Sequence, residues 1–399
     1  MVADLPLSGT CVAGWEQVRD AVHTNFAAGE EVGCSVAVYH KGELVVDLVA
    51  GWTDRTKTKE YAADSLQLVF STTKGVTATA VAMCVERGLL SYALPVAHYW
   101  PEFAQHDKGN ITVAQLLSHQ AGLYTVERHM ELEEILHWNT ITAELAGMAP
   151  LWEPGTTHGY HALTFGWLAG ELIRRVDGRG VGQFIQEEIA GPLGVEIYVG
   201  LPEALEHRVV PLLMGQGREK STEPESEEAK ITRELLEKFI GPNTPGGKAL
   251  SLSGSWTGEG LMNRSDVLRA EIPAANGVTN ARSLASMYSA LQHPVNGVQL
   301  LSSAMRDAAF VVQTPKNEPD TCLIGPTSFA MGYMASSEFT PYVGEGSCGH
   351  PGFGGSVAFL QPHRELAFGY VMNKLANNIV GDSRAKTLMD AAARCADSL

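Results

Sequence analysis

LQLVFSTTKGVTATAVAMCVERGLL, residues Leu66–Leu90, changes character twice. An apolar, strand-like run ends at Ser71; two threonines lead to Lys74; the chain then keeps helical spacing until Gly88. In a helix that opens at or just after Ser71, residues three apart share a face, so the Lys74 ammonium comes within reach of the Ser71 oxygen. The helix start adds exposed N–H groups and a partial positive charge, both favourable to an alkoxide or an oxyanion. Serine alone is a poor nucleophile, and this setting supplies an activator and an anion-stabilising environment.

The SxxK pattern is weak by itself, and the chain contains a second, SRAK at Ser383–Lys386. Context separates them. Gly75, Ala78, Ala80 and Ala82 make the first helix small-sided and suited to burial, whereas Ser383 follows Gly-Asp in a polar setting and opens a solvated terminal helix.

With 399 residues, 45% hydrophobic and 19% charged, the chain is long enough for two or three structural units and a core that holds a buried site. A formal net charge of -16 argues against nucleic acid and acidic membrane surfaces as partners. No segment is apolar for the length of a membrane span, and the opening MVADLPLSGTCVAGWEQV lacks a basic and apolar leader, so a cytoplasmic location is expected. The six cysteines form no CxxC pair, which favours reduced, separately packed thiols; Cys348 stands out for lying near a glycine-rich stretch.

Trp15–Ala27 reads as a helix, and CSVAVYHKGELVVDLVAGWTD as two strands joined at Lys41-Gly42. Helical patterns dominate from Thr72 to about Gln292. Strand-like segments return near Phe329–Tyr333, in GGSVAFLQP and in ELAFGYVMN, before a closing amphipathic helix. This order predicts an α+β fold. A discontinuous sheet domain takes residues 1–71 and 295–399, and a mainly helical domain takes 72–294, with a loop or flap region around 215–260 and the site between the two. The charged run Arg218–Phe239 fits a solvated helix and loop better than an active-site flap.

The chain has no GxSxG elbow, no HExxH and no GxxxxGK[ST]; His158 and His161 make a two-ligand metal pair at best. Neither a metal nor an organic cofactor is expected. Tyr160 lies just before a helix, where a packing role with a satisfied hydroxyl is the usual case. His350 precedes Pro351-Gly352, Phe353 and two further glycines, a place for close backbone approach to a ligand or for a plain sheet-edge turn.

Ser71-Thr72-Thr73-Lys74, Tyr160-His161-Ala162 and His350-Pro351-Gly352, in this order, resemble the SxxK, YxN and (K/H)xG elements of the class C β-lactamase-like serine hydrolases, which include penicillin-binding DD-peptidases and family VIII carboxylesterases. LLSHQAGL (Leu116–Leu123), WEPGT (Trp152–Thr156), GPLGV (Gly191–Val195) and GHPGFGGS resemble them too, so the likeness runs from about residue 12 to 395. The resemblance implies an antiparallel sheet flanked by the terminal helices, beside an all-helical domain. It makes Ser71 the acylated nucleophile and Tyr160 the proton shuttle, and it has Lys74 lower the Tyr160 pKa by its charge. It assigns the oxyanion hole to the Ser71 and Phe353 N–H groups. His350 is expected to position substrate and Tyr160, and Tyr124, His161, Gly352 and Phe353 to contact substrate, with plain core packing equally open for Tyr124 and Phe353.

Two departures point to the substrate. Ala162 stands where the YxN asparagine would bind a lactam's amide side chain, and His350 replaces the lysine that would meet the drug's carboxylate. Both weaken lactam recognition and leave acyl-ester chemistry intact. The expected activity is a carboxylesterase for short-chain acyl esters with weak β-lactamase activity, ahead of an acyltransferase on the same site, a β-lactamase or DD-peptidase, and a catalytically silent binding protein. The oligomeric state is not legible.

Overall fold

The computed structural model describes residues 5–214, 237–323, 325–376 and 381–399. The segment 215–236 of the expected flap lies outside them, with most of the charged run. Seven strands form an antiparallel sheet in the order β1-β3-β2-β10-β9-β8-β7. They are β1 (Leu7–Cys11), β2 (Gly33–His40), β3 (Glu43–Gly51), β7 (Met334–Ala335), β8 (Cys348–Pro351), β9 (Val357–Gln361) and β10 (Leu366–Met372). A small sheet of β4 (Gln67–Leu68), β6 (Val278–Thr279) and β5 (Ile197–Tyr198) stands apart.

The hairpin forms where Lys41-Gly42 places it. Both residues take positive φ, +53° and +84°, as a two-residue turn between twisted strands demands. β2 is buried along its whole length because both sheet faces are covered, and its side chains divide with period two. Val36 and Val38 join a cluster with Trp15, Phe368 and Leu388 beneath the terminal helices α1 (Glu16–Ala27) and Ser383–Ser398. Ala37 and Tyr39 join the other cluster, with Leu284 and Ala285 of the Ala281–Ser289 helix.

Two local expectations change. β1 escapes the sequence reading because SGT carries no apolar alternation; it pairs with β3 at the sheet edge, where its central residues stay exposed. The strand placed near Phe329–Tyr333 forms just after it, at Met334–Ala335, with Phe329 making a single bridge to Met334. Helix α2 (Thr73–Glu86) is buried on all sides from Thr73 to Cys84, which is why its residues are small or apolar all round instead of striped. It packs on the Thr164–Asp177 helix and also contacts β8.

Candidate active site

Ser71 sits on a turn that enters α2 by successive three-residue hydrogen bonds: Thr72 N–H to Val69 O (3.2 Å), Thr73 N–H to Phe70 O (3.0 Å) and Lys74 N–H to Ser71 O (2.9 Å). Phe70, just before the serine, has φ +46°, a left-handed conformation that costs a bulky residue energy and marks a constrained site. What holds it is a clamp to the β8–β9 loop. Ser356 Oγ donates to Val69 O at 2.8 Å and lies 3.1 Å from Thr72 Oγ1. Gly352 fits into the same gap, where a Cβ would stand 2.3 Å from Val69 O and 2.2 Å from Ser356 Oγ. The close backbone approach expected of these glycines is therefore to the Ser71 turn itself, and it sets the Ser71 and Phe353 segments side by side.

Lys74 is fully buried. Its Nζ lies 3.1 Å from Ser71 Oγ, 2.6 Å from Ala162 O and 3.0 Å from Ala274 O, and among the described residues no carboxylate pairs with it. Burial alone pulls its pKa well below the usual lysine range. All three neighbours are oxygens: a charged Nζ donates to each of them, and a neutral Nζ gives its two N–H bonds to the carbonyls and turns its lone pair to the Ser71 hydroxyl. Ala162, whose side chain has nothing to donate, takes part through its backbone oxygen.

Tyr160 is buried beside this amine. Burial pushes its phenol up, a hydrogen bond to Ser71 acts the other way, and the Asp320 charge adds to the rise. The Lys74 Nζ stands 4.7 Å from the centre of the Tyr160 ring, over its face. Both groups are stripped of water, and burial pushes each toward its neutral form. Phe329 stacks parallel to Tyr160 at 6.0 Å and 6°, and His350 lies 5.8 Å away at 27°.

His350 is buried, with Nδ1 2.7 Å from Pro351 O. A carbonyl accepts, so Nδ1 carries the proton and Nε2 is a bare acceptor. Burial first, and the nearby Lys74 second, lower its pKa to about 3. His161, expected to contact substrate, is fully buried with both ring nitrogens engaged: Nε2 accepts from Leu123 N–H (2.9 Å) and Nδ1 faces Gly159 O (2.7 Å). It has no polar atom left to offer a substrate, nor is it placed to bind metal with His158, whose Nε2 meets Thr327 Oγ1 at 3.2 Å.

Tyr124 stacks on Trp152 at 5.3 Å and 13° and joins Tyr160, Ala162, Ala249, Cys322 and Leu323 in one apolar cluster. Ala249, from the Pro245–Ser251 helix, brings part of the expected 215–260 loop region to this wall. Phe353 is partly exposed and packs edge-on against Phe70 (5.4 Å, 70°). Together they border a cleft of about 190 Å³, with Leu212, Trp256, Leu261 and Met262. Cys348 is buried, which raises its thiol pKa and leaves it unreactive.

Sequence reasoning missed His119, whose ring lies 5.2 Å from Tyr160 and 4.2 Å from Phe329, and Asp320, which accepts the Tyr160 N–H at 3.1 Å. His119 was inside a quoted motif, LLSHQAGL, whereas NEPDTC around Asp320 carries no periodic or motif signal.

A mixed fold with an antiparallel sheet and a serine–lysine–tyrosine constellation at a buried helix start defines a class, and comparison with known proteins agrees. The Beta-lactamase family profile matches residues 18–393, and the chain belongs to that family. It is 35% identical over 361 residues to the esterase/beta-lactamase LipL of Mycobacterium tuberculosis, covering 87% of this chain and 78% of that protein. Among solved structures, a family VIII carboxylesterase superposes with a TM-score of 0.86 at 33% identity, covering 98% of this chain and 100% of that one. A penicillin-binding protein homolog from Caulobacter crescentus gives 0.85 at 36% identity, again covering 98% of this chain and 100% of that one.

Proposed function

We propose that this protein is a serine carboxylesterase that hydrolyses short-chain acyl esters through an acyl-Ser71 intermediate. The observation that carries the reading is the Lys74 amine, buried with no carboxylate partner among the described residues and 3.1 Å from Ser71 Oγ. In acylation the Ser71 proton passes to Lys74, Oγ bonds to the ester carbonyl carbon, and Tyr160 gives its proton to the departing alkoxide. The acyl-enzyme then holds an ammonium at Lys74 and a phenolate at Tyr160, a pair of opposite charges that stabilise each other. In deacylation the phenolate takes a proton from water, the hydroxide attacks the acyl carbon, and Lys74 returns its proton to Oγ. The tetrahedral oxyanion is received by the Ser71 and Phe353 N–H groups, each worth about 3 kcal/mol in such sites.

The surroundings support an uncharged substrate. His350 at about pKa 3 provides no cation for a carboxylate, and the Tyr124–Leu323 cluster is apolar. The test is turnover of p-nitrophenyl acetate, butyrate and octanoate beside the chromogenic cephalosporin nitrocefin, with Ser71→Ala as control. Ester turnover that exceeds nitrocefin turnover and disappears in Ser71→Ala is expected; faster nitrocefin turnover restores the lactam reading, and full activity in Ser71→Ala removes the mechanism. Adding a competing alcohol and analysing products separates hydrolysis from acyl transfer.

A further inference from the structure

Tyr160 belongs to no helix or strand, so its position has to be set by something other than regular backbone pairing. Asp320 does much of this. Its Oδ1 accepts the N–H of Tyr160 at 3.1 Å, of Cys322 at 2.7 Å and of Leu323 at 2.9 Å; its Oδ2 accepts the Thr327 hydroxyl at 2.8 Å. Thr327 Oγ1 reaches on to His158 Nε2 at 3.2 Å, and Thr321 N–H donates to His158 O at 3.0 Å. Asp320 is 5% exposed, and among the described residues no lysine or arginine pairs with it. A buried carboxylate without a cation is costly unless its lone pairs are filled, and here four donors fill them.

Cys322 and Leu323, held by that carboxylate, pack in the cluster that contains Tyr160, Tyr124 and Ala162. The phenol is thus fixed twice through one side chain, by its own backbone and by the wall it leans on. We propose that Asp320 is the positioning residue for Tyr160, tying the main chain that carries the phenol to the loop that walls the apolar pocket and so setting where the proton is delivered to the leaving alkoxide. This rests on the esterase reading above. The Asp320 charge, which helps to raise the Tyr160 pKa, also favours the phenol in the protonated form an acid needs.

The test uses leaving groups. p-Nitrophenolate departs without a proton, whereas ethoxide needs one, so loss of a positioned acid biases the enzyme against ethyl butyrate relative to p-nitrophenyl butyrate; general loss of structure lowers both together. Tyr160→Phe is expected to cut kcat/KM about 100-fold on the ethyl ester and about tenfold or less on the nitrophenyl ester. Asp320→Ala is expected to show the same bias, about 30-fold against several-fold, in kcat more than in KM, and to add nothing on ethyl butyrate in the Tyr160→Phe background. Asp320→Asn, which keeps an oxygen for the three N–H groups, restores most of the activity. Thr327→Val, a gentler change if Asp320→Ala does not fold, gives a weaker version of the same bias. Equal losses on both esters, or full additivity with Tyr160→Phe, overturn the proposal. If Tyr160→Phe shows the bias and no Asp320 or Thr327 variant does, the positioning role alone falls. If the wild type hydrolyses neither ester, the esterase reading falls and takes this inference with it.

Discussion

The chain carries the pattern SxxK twice, each time at the start of a helix, and the two copies have opposite fates. Lys74 is fully buried among carbonyls, while Lys386 keeps 65% of its side chain in solvent and pairs with Asp390 one turn on, at 2.5 Å. Beside the second copy it is Arg384 that turns inward. Arg384 is as buried as Lys74 but fully partnered, by Asp382 (2.6 Å), Glu31 (3.3 Å) and the carbonyls of Lys374 and Gly354 (2.8 Å each). Three basic residues thus occupy three environments. The exposed one is an ordinary surface charge, the buried and paired one braces the turn that follows Phe353, and the one buried without an ion-pair partner among the described residues is placed to lose its proton. A motif says which atoms are near each other; the supply of counter-ions says whether they react.

The sharpest way to break this contrast is to make both lysines arginine. A guanidinium cannot give up its proton in a protein, so Lys74→Arg is expected to lower kcat/KM by about four orders of magnitude, while Lys386→Arg stays within about twofold of wild type. Activity in a folded Lys74→Arg enzyme, checked by circular dichroism, means that the neutral amine is not the base.

Next in size is the braced cation. Arg384→Met strands Glu31 and Asp382 in the interior without their partner, which costs about 3–5 kcal/mol in comparable buried pairs, against under about 0.5 kcal/mol for Lys386→Met at the surface. Denaturant unfolding reads the difference. Equal losses at the two positions mean that the buried network contributes no more than a surface charge.

These same residues show where sequence reading stops. Ser71 and Lys74 were legible because a helix repeats locally, and the β2–β3 hairpin because Lys41-Gly42 fits a turn with two positive φ values. Tyr160 and His350 were reached through resemblance. What stayed hidden lies in partnerships across long stretches of chain: Ser356 with Val69, Asp320 with Tyr160, Arg384 with Glu31. Proximity in a motif suggests a charge acting on a phenol, whereas the supply of counter-ions is a property of the whole fold, and among the described residues no carboxylate pairs with Lys74. His161 shows the converse, a motif position whose ring nitrogens are spent on Leu123 and Gly159.

The pH–rate profile sharpens the contrast by a smaller amount, about tenfold per pH unit on each limb. Lys74 must be neutral and Tyr160 protonated, so kcat/KM rises as pH climbs through the lowered lysine pKa and falls only as the raised tyrosine pKa is passed, above pH 10. His350 at about 3 and His161 at about 4 are neutral throughout this range and place no limb between pH 5 and 8. An acidic limb near pH 6.5 that moves in His350→Gln reassigns the essential base to the histidine.

The smallest expected effect is on stability, and here the two buried regions act with opposite sign. Burial lifts the Glu31 carboxyl from 4.5 to about 7 against the pull of Arg384 and of the Tyr370 hydroxyl that donates to it. A pKa raised by folding gives a contribution that is complete below about pH 4.5 and is lost as pH rises through 7. The Lys74 pKa is lowered by folding, so its unfolded form binds the extra proton and stability gains as pH rises toward 10.5. The wild-type melting temperature should therefore decline by a few degrees between pH 5 and 8 through Glu31, and Glu31→Gln, which keeps the shape without the titration, should flatten that decline. Lys74→Met should leave the decline in place and remove the opposing gain at higher pH. A decline that persists unchanged in Glu31→Gln means that Arg384 holds Glu31 ionised across the range, and that the paired cluster is a true salt bridge at every pH where the protein folds.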